Sequence, residues 1–281
     1  TGFAEVLRES LITVEADGLD PIDLCGTGGD GQGTVNLSTG AAFVVAGAGV
    51  PVAKHGNHGV SSRTGSADVL AALGLPMRRT PEESGRLLRQ LGLSFLYAPA
   101  HHPLFAKIGP VRRALGFRTA FNLLGPVVNP ARVKRQVVGV FSLAAQDAVA
   151  EVLLRLGTER ALVVHTPGPY DEVSLTAPAR ALLVEGGRIE AWTLAPEAFS
   201  ARAVGPEELL GGEATHNARI LEDVLAGARN GVREALCANA ACGLFVAGRA
   251  ASVAEGFAQA QASLDSGNAL GLLNALRREA A

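Results

Sequence analysis

Residues 23–57 read DLCGTGGDGQGTVNLSTGAAFVVAGAGVPVAKHGN, and the class of fold follows from this stretch. The segment PIDLCG, residues 21–26, which runs into it, reads as a short buried strand, residues 38–48 as a helix, and VPVAKHG as a second strand. A strand, a helix and a strand in that order form a βαβ unit, which implies a parallel sheet. Between the first strand and the helix lies GTGGDG, residues 26–31, a literal match to the dinucleotide fingerprint G-x-G-x-x-G. That fingerprint needs its third glycine to open the helix at once and an acidic residue about 20 positions on to take a ribose hydroxyl. Here Gln32, Gly33 and Thr34 intervene, and the second strand ends in Lys54 and His55. A P-loop would need a lysine directly after a glycine of the loop, and there is none. What remains is a glycine-dense loop whose backbone N–H groups can approach an anion. It is followed by Asn36-Leu37-Ser38-Thr39 at a helix N-terminus, where free N–H groups and the dipole favour phosphate. For any one of these residues, a turn or a helix cap serving only the fold is the plain alternative.

On the N-terminal side, residues 1–17 read as one amphipathic helix, with Phe3, Val6, Leu7 and Leu11 on one stripe. On the other side a helical stretch follows at 68–73. TPEESGRLLRQLG then carries a helix start, with Thr80 as N-cap, Pro81 behind it and Glu83 at the third position. QVVGVF and ALVVH are β-branched strands separated by a helix with Val149, Val152, Leu153 and Leu156 on one face, a second crossover. ARALLVEGGRIEAWTL reads as a hairpin about Gly186 and Gly187, and the chain is helical from Thr215 onward.

The 281 residues are 48% hydrophobic and 19% charged, which describes a well-buried globular chain. A net charge of −2 without a basic run gives no general attraction for nucleic acid or anionic lipid. No apolar run approaches the roughly 20 residues of a membrane span, and TGFAEVLRESL lacks the order of a secretory signal. Cys25, Cys237 and Cys242 lie in no metal-type spacing and read as reduced, buried thiols. A cytoplasmic protein acting on small molecules is the expectation.

GTGGD, N-x-S-T, KHGN, SSRTGSADVLAALG, HHP, PVRRALGFRTAFNLLGPVVNP and the acidic pair at 171 and 172 together resemble the anthranilate phosphoribosyltransferases of tryptophan biosynthesis. They match in identity, order and spacing over nearly the whole chain. The resemblance implies a large α/β domain with a mostly parallel central sheet flanked by helices (18–80 and 114–281) and a small helical domain (1–17 and 81–113), as in the nucleoside phosphorylases. It implies that phosphoribosyl diphosphate (PRPP) is held by Gly26, Gly29, Asp30, Thr34, Asn36, Leu37, Ser38 and Thr39. To these it adds Lys54, His55, Gly56, Asn57, His58, Gly59, Val60, Ser61, Ser62 and Ser66. It implies Mg2+ on Ser38, Asp171 and Glu172, the last two in the glycine-proline loop TPGPYDE, expected to be mobile and exposed. Anthranilate would meet Gly26, Asn57 and Arg112, whose planar fork can take both carboxylate oxygens. His55 and His102 are expected to line the pocket, and no catalytic nucleophile is assigned.

Two positions depart from the family's usual pattern: His58 stands where Arg is usual after KHGN, and Ala71 where a glutamate is frequent. Relatives also carry a set of helices ahead of the point where this sequence starts, which help form their small domain and dimer contact. A homodimer is therefore implied where those helices are present. Two rival readings compete with this one. A pyrimidine nucleoside phosphorylase-like enzyme would need a K-H-S-T-G-G loop, absent here, and a non-catalytic nucleotide-binding paralogue would be expected to show a basic face.

Overall fold

The computed structural model describes residues 1–59, 64–105, 107–108, 114, 119–168 and 170–280. Its centre is a seven-stranded sheet in the order β3-β2-β1-β4-β5-β6-β7. β1 (Ile22–Gly26), β2 (Val52–Gly56), β3 (Leu93–Tyr97), β4 (Arg135–Gly139) and β5 (Arg160–His165) run parallel. β6 (Ala179–Glu185) and β7 (Arg188–Leu194) close one side as an antiparallel hairpin. Gly186 and Gly187 turn that hairpin with φ of 57° and 76°, the left-handed pair a tight two-residue turn requires.

Parallel strands buried on both faces read as continuous apolar runs, and these do. Val137, Leu162 and Val164 point into one core, Val138, Ala161 and Val163 into the other. The first core holds α2 (Leu37–Gly47), α9 (Gly231–Val246), α10 (Val253–Asp265) and α11 (Asn268–Arg278). α2 is apolar on every side because it lies between the sheet and these helices. The second core holds α1 (Gly2–Glu9) and α7 (Leu143–Arg155). Further helices are α3 (Ser66–Ala72), α4 (Pro81–Leu91), α5 (Ala98–His101), α6 (Phe121–Leu124) and α8 (Ala214–Leu225). α4 starts and stops as its sequence dictates, with Thr80 and Glu83 in a reciprocal capping box and Gly92 left-handed at the C-cap.

Two local expectations are corrected. The first helix ends at Glu9 instead of running to residue 17. From Ile12 the chain extends, its N–H bonding the His101 carbonyl and that of Val14 the Pro130 carbonyl, because these long-range partners outcompete continuation of a short helix. Leu93–Tyr97, inside the span read as part of a helical lobe, is the edge strand of the sheet, paired along its length with β2. Among the described residues no helix is long and apolar enough to cross a membrane.

β1 is followed by a crossover to one side, and β4 by a crossover to the other, so their C-terminal ends bracket the point where the strand order reverses. Open α/β sheets bind ligands there.

Candidate active site

A cleft of about 500 Å3 opens at that reversal. One wall is the glycine loop after β1, where Gly28, Gly29, Gly31 and Gly33 all adopt positive φ, between 64° and 78°. Glycine reaches this conformation without strain, and with no Cβ it lets the backbone approach a ligand closely. The floor is the first turn of α2, with Asn36 as N-cap. Thr27 and Thr39 both line the cleft, and among the described residues their buried hydroxyl oxygens have no hydrogen-bond partner.

Asp171 and Glu172 sit on this floor, and their placement corrects the expectation of a mobile, exposed loop. Asp171 is only 9% exposed. Gly139 ends β4 directly beneath it, and a Cβ at Gly139 would overlap the Asp171 carbonyl. Asn239 of α9 holds the next residue like a strand partner, accepting from the Val173 N–H at 3.1 Å and donating to its carbonyl at 2.9 Å. The loop is clamped because two glycines, Gly26 and Gly139, leave room for its backbone and side chain. Asp171 Oδ2 accepts from the Gly28 N–H at 2.6 Å, and Glu172 Oε1 from the Ser38 N–H at 2.8 Å. Burial raises both carboxyls well above the usual carboxylate range; Asp30 adds to this for Asp171, and Asp171 adds to it for Glu172. Buried like charges without a cation favour the protonated form. A divalent cation there would reverse that preference. Among the described residues no three His, Cys, Asp or Glu side chains could hold a metal by themselves. The donor set therefore suits Mg2+, a hard cation that takes one or two carboxylates and completes its shell with water and substrate phosphates.

The opposite wall is neutral and aromatic. His55 Nδ1 lies 3.1 Å from the Gly125 carbonyl, which can only accept, so this nitrogen carries the proton and Nε2 is the acceptor. His102 Nε2, 3.1 Å from His55 Nε2, is then the donor of that bond. Phe105 packs against His102 at 5.1 Å and edge-on to Phe121 at 6.2 Å. Burial, followed by the neighbouring histidine, lowers His55 to about 3 and His102 to about 4. The unfolded chain therefore binds more protons than the folded one below the ordinary histidine value of 6.5, and stability falls with acidity from there down through the folded values. At pH 5 the loss amounts to about 2 kcal/mol per ring. His102→Gln keeps an N–H donor for His55 and should remove about half of this acid sensitivity. An unchanged slope of melting temperature between pH 7 and 5 would refute the neutral pair.

This chain also matches, over residues 19–270, the family described as "Glycosyl transferase family, a/b domain". It is 48% identical to an anthranilate phosphoribosyltransferase of Rubrobacter xylanophilus over 274 residues, 97% of this chain and 80% of that protein. The crystal structure of anthranilate phosphoribosyltransferase from Thermus thermophilus superposes with a TM-score of 0.93 at 41% identity, covering 99% of this chain and 83% of that one. The chain belongs to the anthranilate phosphoribosyltransferase family. A Saccharomyces cerevisiae anthranilate phosphoribosyltransferase in complex with PRPP and Mg superposes with a TM-score of 0.88 at 28% identity, over 99% of this chain and 78% of that one.

In this member of the anthranilate phosphoribosyltransferase family, the cleft gathers most residues singled out in the sequence. Gly26, Gly29, Asp30, Thr34, Asn36, Ser38 and Thr39 meet Lys54 to Gly59, Ser66, Asp171 and Glu172 around one opening. Leu37 stands apart, its side chain lying in the core beneath α2. Lys54 is almost fully buried, with Nζ donating to the Leu24 carbonyl at 2.6 Å. Its charge is therefore spent partly within the sheet, beside the buried carboxyl of Asp23. His58 pairs with Asp68, 2.5 Å between Nδ1 and Oδ1. Asp68 also accepts from the N–H groups of Gly59 and Gly65, so it ties the ends of the segment between them. Val60, Ser61, Ser62 and Arg112 lie outside the described residues. Sequence reading misses Thr27, Gly139, Asn217 and Asn239. Thr27 lies inside GTGGD without a signal of its own, Gly139, Asn217 and Asn239 belong to no motif, and a buried Asn within an apolar helical pattern is the only signal the last two give.

Proposed function

We propose that this chain transfers the phosphoribosyl group of PRPP to the amine of anthranilate, releasing diphosphate. The observation that carries the reading is one cleft with a positive-φ glycine loop and buried acids on one wall and a neutral histidine-phenylalanine surface on the other. The glycine loop and the first turn of α2 hold the diphosphate. Ser38, Asp171 and Glu172 would hold Mg2+, which when bound neutralises charge on the departing diphosphate. The wall of His55, Phe105 and Phe121 offers a planar acceptor an apolar surface, and the neutral imidazoles place no positive charge beside the cation-like sugar. Because the sugar becomes cation-like and the leaving group is an anion, alignment and charge neutralisation carry the rate, and no protein nucleophile is required.

We extend the proposal to Arg112 as the partner of the anthranilate carboxylate, to a small helical lobe built from residues 1–17 and the helical part of 81–113, to a homodimer, and to the cytoplasm. The test is turnover with PRPP, Mg2+ and a panel of aromatic amines, read by loss of anthranilate fluorescence. No turnover with anthranilate refutes the assignment. Within the same assay Arg112→Ala should raise the KM for anthranilate roughly 30- to 150-fold, the equivalent of about 2–3 kcal/mol for a lost charged hydrogen-bond partner. The KM for PRPP should stay nearly unchanged, and a larger anthranilate defect in Arg113→Ala would move the role to that neighbour.

A further inference from the structure

An asparagine at a helix N-cap normally turns its side-chain oxygen back to accept an N–H of the first turn. Asn36, the N-cap of α2, makes no such bond. Its Oδ1 instead accepts from Nδ2 of Asn217 at 3.0 Å, and its own Nδ2 donates to the Thr64 carbonyl at 3.3 Å. Thr64 Oγ1 donates to the Gly212 carbonyl at 2.7 Å, and the Gly212 N–H donates to Asn217 Oδ1 at 2.7 Å. The four bonds close a ring through three segments remote in sequence: the α2 cap, the loop before α3, and the turn into α8. Asn217 is 1% exposed, and the approach is close enough that a Cβ on Gly211 would sit 2.8 Å from its Oδ1. The adjoining chain is held as well, by the Val35 N–H on the Leu209 carbonyl and the Gly211 N–H on the Gly33 carbonyl. Asn36, Thr64, Gly212 and Asn217 all line the cleft.

We infer that Asn217 is a positioning residue for the donor: by holding the Asn36 side chain and the Gly212 N–H it fixes the N-cap of α2, the 64–66 loop and the turn into α8 against one another around the cleft. Without Asn217 the Asn36 side chain loses its donor and the Gly212 N–H its acceptor, so the cap and the 64–66 loop are free to shift relative to the first turn of α2, whose Ser38 N–H stays on Glu172. The inference rests on the proposed binding of PRPP in this cleft. It places a determinant of donor affinity in α8, outside every motif around the glycine loop.

The experiment is calorimetric binding of PRPP with Mg2+, with steady-state constants for both substrates and melting temperatures, on wild type, Asn217→Ala, Asn36→Ala and the double variant. Asn217→Ala should weaken PRPP binding about tenfold, as expected for one net hydrogen bond, with the KM for anthranilate within about twofold of wild type. In the Asn36→Ala background the same change should have less than about a twofold further effect, because Asn217 acts through Asn36. Asn217→Leu keeps the approximate volume and loses the donor to Asn36 without adding charge beside the diphosphate. It should show the same donor-side loss, and serves if the alanine variant does not fold. Unchanged PRPP affinity in both single variants, additive effects in the double variant, or equal losses for both substrates would overturn the inference. A wild-type chain that does not bind PRPP would overturn the functional reading and the inference together, whereas wild-type binding with an unmoved variant overturns the inference alone.

Discussion

Asp171→Asn combined with Glu172→Gln lowers turnover by at least about 10³-fold, while the metal-free variant melts at or above the wild-type temperature. The two halves of this expected result have one cause. Burial and mutual repulsion raise both carboxyls, so the folded state holds their protons more tightly than the unfolded chain does. Such groups support folding below the ordinary carboxylate range and lose that support as pH rises through their raised values. At neutral pH the unfolded chain holds both carboxyls ionised and the fold does not, so keeping them buried costs stability, and the neutral isosteres relieve it. Asn and Gln can still accept the N–H groups of Gly28 and Ser38 that Asp171 and Glu172 now satisfy, so the loop keeps its backbone contacts. What is lost is charge toward a cation, and about 4 kcal/mol of transition-state stabilisation corresponds to the stated 10³-fold. The decisive comparison is a melting series with and without Mg2+ beside a turnover assay. Near-normal turnover at low Mg2+ would refute the metal assignment, and a double variant several degrees less stable than wild type would refute the account of repulsion.

Gly139→Ala is expected to lower kcat/KM by about 10²-fold or more and to destabilise the fold by about 1–3 kcal/mol. A Cβ at this position would overlap the Asp171 carbonyl oxygen and lie 2.5 Å from its carbonyl carbon. Both are backbone atoms, so no side chain can swing away to make room. The loop carrying Asp171 and Glu172 must lift off β4, and displacement of about 1 Å in a positioned group is enough to cost about 10²-fold. The stability range is that of an overpacked core position. Gly271→Ala is the matched control, because a Cβ there meets nothing within 4 Å and the position lies within α11. It should leave activity unchanged and hold or raise stability, as alanine does for glycine in a helix. Kinetics and denaturant unfolding of the two variants side by side decide the matter. A Gly139→Ala enzyme as active as the Gly271→Ala enzyme would mean that the acidic pair does not depend on its seat on β4.

The parallel sheet is legible in the chain itself, because β1, α2 and β2 are written in short-range patterns: apolar runs, a polar cap and a strand ending in a cation. So is the preference of the glycine loop for an anion over a dinucleotide, since the missing acidic residue and the extra Gln32-Gly33-Thr34 are local features. The α4 boundaries are legible for the same reason, Thr80, Glu83 and Gly92 acting within one or two turns of themselves. Where the partner is distant, the sequence is silent or misleading. Its pattern overextends helix α1 because the carbonyls of His101 and Pro130 that capture Ile12 and Val14 are about a hundred residues away. Asp171 and Glu172 read as exposed because Gly-Pro-rich chain resembles a mobile loop. Only the assembled fold sets that chain down on Gly139 and ties it to Asn239. The Asn36 side chain would by local rules cap its own helix, and the tertiary structure redirects it to Asn217, 181 positions on. Side chains that bond within a few residues leave a pattern in the sequence. Those that close rings between remote segments leave none, since any of many folds could have brought the same residue types together.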